Sequence, residues 1–390
     1  MNANCSNGTR IPNCSNGTRV ITGATAKPLL KYSETPEAWA VHIASRFHYN
    51  AFTSPWMTPH TPFYLSDHFV THDASLTTFF GGDGGAALTD FGPALTPAPI
   101  LCSKPGCNLS TVQENDVVFC RNDLFRTFVT RCLPRLQKRI ILITGRWHLP
   151  ALKKDALTET VLADHRILKW FSQNPMYHDG AGGGKFFGFP YGVISSSAAI
   201  LKILRQPTLK TNTLFWAYHE VRPNQHGART DVFTKIIKKP AAGLRLNLDK
   251  YFKEMYRSRY VLSLRGDRPD CYRHWESIIF GAIPICNCHP AIPSFVEKEN
   301  NRTKNTPHNT WFGKNLISLT TNQTVEVLNK YIAHGSLPEE FDTFSVSPDF
   351  VSFKFWCRRV RAGKKDKTSR CGGYANAART HAPPRVALFS

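Results

Sequence analysis

Between Asp116 and Gly145 the chain passes through three segments that together permit few folds. "DVVFC" is a short apolar run, "NDLFRTFVTRCLPRL" places apolar residues at helical spacing, and "RIILITG" is a second β-rich run. Two strands separated by a helix-length connection cannot make a tight hairpin, so they pair in parallel through a crossover. The alternation continues down the chain. "ALTETVLADHRILKWFSQN" (156–174) carries helical spacing with Asp155 as a cap, and "KFFGFPYG" (185–192) is a short extended piece. "SSSAAILKILR" predicts a helix opened by serines, and "NTLFWAYH" (212–219) a strand that starts a second series. Helices are expected at "RTDVFTKIIKK", "LDKYFKEMYRS" and "CYRHWESIIFG", with strands at "RYVLSL" (259–264), "AIPIC" and "NLISL". Gly281 is placed to end its helix in the left-handed conformation. "NQTVEVLNKYI" and "VSPDFVSFKFWCRRVRAG" complete the helices, the last started by Ser347 or Pro348. Repeated strand–helix units of this kind predict two doubly wound α/β domains, with a boundary near residues 206–211.

The remaining chain is less patterned. Residues 28–115 break short aromatic pieces with Thr, Pro and Gly, and no element is assigned there. The division is a leader at 1–27, a first domain at 28–208, a second at 209–345, a helix at 346–362 and a basic tail at 363–390. The length of 390 residues and 42% hydrophobic content suit one large or two medium cores. Lys and Arg exceed Asp and Glu by 49 − 28 = 21, which favours anionic partners in general. Much of that excess is a tail: ten Lys/Arg and one acid, Asp366, lie between Lys354 and Ser390. A nucleic-acid-binding surface would interleave basic and aromatic residues on one face. The charge is gathered in the tail instead, and no nucleic-acid partner is expected.

No apolar run is long enough to span a bilayer, and the first residues lack the basic start and apolar core of a signal peptide. They repeat "NCSNGTR" at too short a spacing for a repeat architecture. N-x-[ST] triplets stand at Asn4, Asn7, Asn13, Asn16, Asn108, Asn301 and Asn322, which fits a lumenal setting. Eleven cysteines include no C-x-x-C pair, and no histidine pair stands at zinc-finger spacing. No metal is expected.

"RGDRPDCYRHWES" (265–277) concentrates charge directly after the strand "YVLSL". In open parallel sheets ligands bind at the carboxyl ends of strands, where helix N-termini present unpaired N–H groups. Gly266 allows a sharp turn and close approach of the backbone to a ligand, and Asp270 is the candidate N-cap of a helix beginning at Cys271. Arg273 and Glu276 are three apart and share a helical face, while Trp275 points to the core. A guanidinium there binds phosphate bidentately and a carboxylate accepts from sugar hydroxyls, a pairing that describes a nucleotide. The same two residues also make an ordinary surface ion pair, and spacing does not separate the two readings. "RGD" at a strand end inside an α/β pattern is not an adhesion triplet. "DGAGGGKFF" (179–187) is not a phosphate-binding loop either, since Asp179 replaces its first glycine and Phe186 follows the lysine.

The longer stretch "YFKEMYRSRYVLSLRGDRPDCYRHWESIIFGAIPIC" resembles the donor-binding segment of exostosin-type glycosyltransferases. Their pattern runs strand, S-P-x-G-x-G-x-D-x-x-R-x-W-E-A-L, a glycine and I-P-I. Ser263, Gly266, Asp270, Arg273, Trp275, Glu276, Gly281 and Ile283-Pro284-Ile285 match it without a gap. Weaker echoes stand upstream in "ILITG", "ILKWFSQN", "FPYGV" and "RPNQHGAR", the last aligning Asn224 and Arg229 with a T-N-P-x-x-R element. The resemblance implies a GT-B fold, two Rossmann-like doubly wound domains facing a cleft, with a nucleotide-diphosphate sugar on the second domain. It implies metal-independent, inverting transfer of a sugar from a UDP-linked donor to a glycan or glycoprotein hydroxyl. Glu276 would then accept the ribose hydroxyls, and Arg273 with Arg229 would face the diphosphate.

The departures from the pattern are local. Leu264 replaces a proline and Arg268 the second glycine, so Arg265 or Arg268 adds a phosphate contact on this reading. "TGRWHLP" (144–150) places His148 where relatives carry an acid. The candidate bases for deprotonating the acceptor are His148 and Asp179. The alternative is a catalytically degenerate relative that binds nucleotide-sugar or glycan without turnover. The resemblance also implies the Golgi or secretory-pathway lumen, although the membrane anchor usual in that family is not visible in this chain.

Overall fold

The computed structural model describes residues 56–58, 61–71, 98–102, 107–145, 152–173, 176–177, 180–193, 197–206, 208–216, 228–236, 246–265, 271–287, 316–346 and 351–362. Within them the chain is α/β, with two parallel sheets. The first contains β1 (His68–Thr71), β2 (Ala98–Leu101), β3 (Asp116–Arg121), β4 (Ile140–Gly145), β5 (Ile167–Ser172) and β6 (Phe186–Gly188). Its order is β2-β1-β3-β4-β5-β6, and every pairing is parallel. The order reverses between β1 and β3, which makes this sheet doubly wound. The second sheet contains β7 (Asn212–Phe215), β8 (Ser258–Leu262), β9 (Ile283–Cys286) and β10 (Ile317–Ser318). It is also parallel, and among the described residues it winds in one direction only, β7-β8-β9-β10.

The first sheet is buried on both faces, as period-two geometry requires of its apolar runs. Val118, Cys120, Ile140, Leu142, Trp170 and Phe186 enter one core, while Val117, Phe119, Ile141, Ile143, Phe171 and Phe187 enter the other. The first core is roofed by the helical stretch after β3 and by α1 (Ala156–Ala163). Asp155 caps α1 in a capping box with Thr158, as the sequence leads one to expect.

Two sequence expectations need correction here. The helix expected over 156–174 stops at Ala163, because the Asp164 carboxylate accepts from the Arg166 backbone and side chain and turns the chain. "ILKWFS" then forms β5, next to the edge strand β6, since a mostly apolar run without clean alternation has no period by which to distinguish strand from helix. The segment 28–115, left unassigned from sequence, supplies β1 and β2, each only four residues long.

Helices α2 (Ser197–Leu204), α3 (Ala228–Lys235), α4 (Leu248–Arg257), α5 (Tyr272–Ile279) and α6 (Thr321–His334) surround the second sheet. α2 packs against α4, and α3 against α6. The core holds Phe252, Met255 and Tyr256 of α4, Trp275, Ile278 and Ile279 of α5, and Ile200 and Leu204 of α2.

The last helix, α7 (Phe353–Val360), returns to the first sheet. Its N-cap is Ser352, whose hydroxyl accepts from the Phe355 amide, so it starts later than the expected Ser347 or Pro348. Phe353, Trp356, Cys357 and Val360 cover the second face of that sheet beside Phe63, Phe171 and Phe189. The adjoining junction is tight. Gly192 has φ 82°, and a Cβ there would stand 2.2 Å from the Met57 carbonyl oxygen, so only glycine fits.

Arg361, 5% exposed, locks this arrangement from the end of α7. Its guanidinium donates to the Leu65 carbonyl at 3.1 Å and to Asp67 Oδ1 at 3.1 Å, while Asp67 Oδ2 accepts from the Val117 amide at 2.9 Å. Arg361→Ala strands a largely buried carboxylate and should cost about 3 kcal/mol in urea unfolding. Arg361→Lys should recover part of it. A loss below about 0.5 kcal/mol, the size of a bland surface change, would show that the contact does not hold the helix down.

Candidate functional site

The charged turn after β8 is partly described: Ser263, Leu264 and Arg265 on one side and Cys271 onward on the other. α5 begins at Tyr272, one residue later than expected, and its N-cap is Cys271 in extended geometry (φ −142°, ψ 153°). The cap position expected at Asp270 is corrected accordingly. The helix is anchored by its apolar side, with Trp275, Ile278 and Ile279 all fully buried. It ends at Gly281, whose φ of 68° is the left-handed stop anticipated from sequence.

That anchoring places Arg273 and Glu276 against α4. The Arg273 guanidinium lies 5.3 Å from the centroid of the Tyr251 ring, a cation–π contact. The Tyr251 hydroxyl donates to Glu276 Oε2 at 3.3 Å. Tyr251 therefore bridges the two residues that the sequence singled out. Burial pushes its phenol well above the ordinary range; Arg273 opposes that shift and Glu276 adds to it. Glu276 is itself only 1% exposed.

Two more arginines meet at the end of β8. Arg229, from the first turn of α3, donates through Nε to the Arg265 carbonyl at 3.1 Å. The Arg265 amide donates to Asn287 Oδ1 at 2.9 Å, which ties the turn to the end of β9. Among the described residues, Arg265 Nε is buried without a hydrogen-bond acceptor. A buried guanidinium donor left in this state is costly unless an acceptor arrives.

Five expected site residues thus fall within the described chain: Arg229, Ser263, Arg265, Arg273 and Glu276. Arg229 and Arg265 are joined directly, as are Arg273 and Glu276 through Tyr251, all around β8 and α5. Ser263 is fully buried, and its hydroxyl is 2.6 Å from His274 Nδ1. His148, Asp179, Asn224, Gly266 and Asp270 lie outside the described residues. The glycine turn that follows Asp179 runs to the amino end of β6. There Lys185 donates to the carbonyls of Leu162 and Asp164 at the end of α1, a capping role.

Sequence reasoning missed Tyr251, Asn287, Cys271 and His274. Tyr251 adjoins the buried face Phe252-Met255-Tyr256 and carried no separate signal. Asn287 directly follows the β9 run at a strand's carboxyl end, where ligand-side residues of open sheets stand.

The far end of α5 is closed by Lys210. Its buried amine donates to the carbonyls of Phe280 at 2.8 Å and Ser258 at 2.9 Å. Burial lowers its pKa to about 7. A neutral amine has two N–H groups, which these two carbonyls match.

Among the described residues, the sulfurs of Cys102, Cys107 and Cys132 form the one His/Cys/Asp/Glu group with metal-holding geometry, all within 4.8 Å of one another. Cys107 is within disulfide reach of both others, and only one pair can be joined at a time. Among the described residues no helix is long and apolar enough to cross a membrane. No protein-family model matches the chain, and no curated protein matches it.

Tyr251→Phe withdraws a donor from a buried carboxylate and should cost about 1–2 kcal/mol in chemical unfolding. An unchanged midpoint would remove Tyr251 from the site's support. Lys210 gives a pH signature. Its folded pKa lies below the unfolded one, so the unfolded chain binds the extra proton between them. The penalty is complete below pH about 7 and fades towards the ordinary lysine value of about 10.4. Stability relative to Lys210→Met should therefore rise across that window; a flat difference would mean the amine stays charged.

Proposed function

We propose that the chain is a glycosyltransferase of the exostosin type, with a GT-B arrangement, acting on a nucleotide-diphosphate sugar. The observation that carries this reading is the convergence of Arg229, Arg265, Arg273 and Glu276 on the carboxyl end of β8 and the start of α5. Parallel sheets bind ligands at that end. On this reading the diphosphate meets Arg229, Arg265 and Arg273, and the buried donor of Arg265 finds its acceptor. The ribose hydroxyls donate to Glu276, adding to or displacing the Tyr251 bond, because a carboxylate accepts several bonds at once.

The chemistry follows from charge. As the bond from anomeric carbon to phosphate oxygen breaks, negative charge grows on the leaving diphosphate. Fixed guanidinium groups stabilise it without reorganising, a role that a divalent cation fills in other transferases. An acceptor hydroxyl of a glycan or glycoprotein attacks from the opposite side and inverts the centre. It needs a base within reach, for which His148 and Asp179 remain the sequence candidates. The disulfide-bonded cysteines, which include Cys286 and Cys357, favour the secretory lumen as the working compartment.

Thermal-shift screening against UDP-, GDP- and CMP-sugars should show stabilisation by one nucleotide class, UDP being expected. Arg273→Ala should abolish that shift. Donor hydrolysis should fall roughly 10²-fold in the same variant, the usual cost of removing one charge-stabilising contact. Equal background hydrolysis in wild type and Glu276→Ala would overturn the enzyme reading. Stabilisation without any hydrolysis would identify a binder that does not turn over.

A further inference from the structure

Beside the arginines lies a second cluster, of which the donor reading involves only Ser263. Cys271 is a free thiol at the N-cap of α5, with 9% of its surface exposed. Its sulfur is 3.5 Å from Ser263 Oγ and 3.6 Å from His274 Nδ1, and Ser263 Oγ is 2.6 Å from that same nitrogen. His274 and Ser263 are fully buried. The three side chains form a relay. In the thiolate form proposed below, His274 Nδ1–H would donate to the Ser263 oxygen and the Ser263 hydroxyl to the Cys271 sulfur. Sulfur at a helix N-terminus gains further from the N–H groups directed outward there.

We propose that Cys271 is a nucleophilic thiolate, held ionised by His274 through Ser263, and that it is a site of oxidation by small hydroperoxides. The sulfur attacks one oxygen of hydrogen peroxide, an S–O bond forms and the O–O bond breaks. The departing hydroxide takes the His274 proton by way of Ser263 and leaves as water. Sulfur loses two electrons, the peroxide gains them, and the product is a sulfenic acid. The narrow exposure suits a small neutral oxidant.

The surroundings act in the same direction. Burial alone would raise the thiol pKa, but His274, Ser263 and Arg229 outweigh it and bring it to about 6. The other ionisable groups around it are Arg265 after β8, Tyr251 on α4, and Tyr272, Arg273 and Glu276 on α5. Both tyrosines are protonated at neutral pH, and burial raises their pKa further. Cys120, the other free cysteine among the described residues, has a pKa raised well above its ordinary value by burial. It serves as the internal control.

The test is residue-resolved labelling of the folded full chain, read by peptide mass spectrometry. Iodoacetamide should alkylate Cys271 with a midpoint near pH 6 and leave Cys120 nearly untouched. At pH 7 an ordinary thiol is only a few per cent ionised, so His274→Gln should slow Cys271 by roughly 30-fold. Ser263→Ala, a milder change, should slow it in the same direction. Should His274→Gln fail to fold, that variant and the thiolate absorbance lost in Cys271→Ser decide the matter. Dilute hydrogen peroxide followed by dimedone should tag Cys271. A midpoint in the ordinary thiol range, or a Cys271 no faster than Cys120, overturns the proposal. Oxidation should also abolish the nucleotide-sugar thermal shift; that arm alone rests on the donor-binding reading, so its failure leaves the labelling result standing.

Discussion

The burial of Trp275 is the contact on which the charged end of the second sheet depends. A helix on a parallel sheet can roll about its axis unless a large side chain fixes it. Trp275 is fully buried together with Ile278 and Ile279, and these three define the inward side of α5. Arg273 at the helix start is left partly exposed, while Glu276, 1% exposed, is held against Tyr251 of α4. Burying a tryptophan removes about 150–250 Å² from water, worth several kcal/mol. Rolling the helix to redirect its charges would forfeit most of that. The polar residues thus owe their direction to apolar ones, and Lys210 fixes the far end of the same helix.

The parts legible from sequence were those with local physics behind them. Asp155 caps α1 because its carboxylate meets an unpaired amide three residues on, and Gly281 stops α5 because it has no Cβ to clash at positive φ. The spacing of Arg273 and Glu276 was enough to put them on one helix face. Strands β1 and β2 were invisible because four residues are too few to show a period. β5 was hidden for a different reason: "ILKWFS" is mostly apolar and shows no clean alternation, so only the Asp164–Arg166 turn before it marks a change of structure.

Pairings that cross the chain were beyond any local pattern. Tyr251 reaches Glu276 from another helix, and Asn287 holds the Arg265 amide from the next strand. Arg361 finds Asp67 near the opposite end of the described chain. The Ser263–His274 contact is of the same type, since a strand end and a helix turn meet only when the intervening segment folds back. In each case the residue types were ordinary, and tertiary geometry alone gave them a role.

The electrostatics of the β8 end follow from these placements. Three guanidinium groups gather there with one buried carboxylate, an excess of cation that costs self-repulsion. Part of that cost is offset locally: Arg273 rests on the Tyr251 ring, and Arg229 donates to a backbone carbonyl. Among the described residues, Arg265 has no such acceptor for its buried Nε. Folding energy alone would favour a smaller or neutral residue at that position, because an apolar side chain of similar shape avoids the desolvation of an unmatched donor. On the proposed donor reading, the diphosphate is the anion that would repay both the repulsion and the missing hydrogen bond.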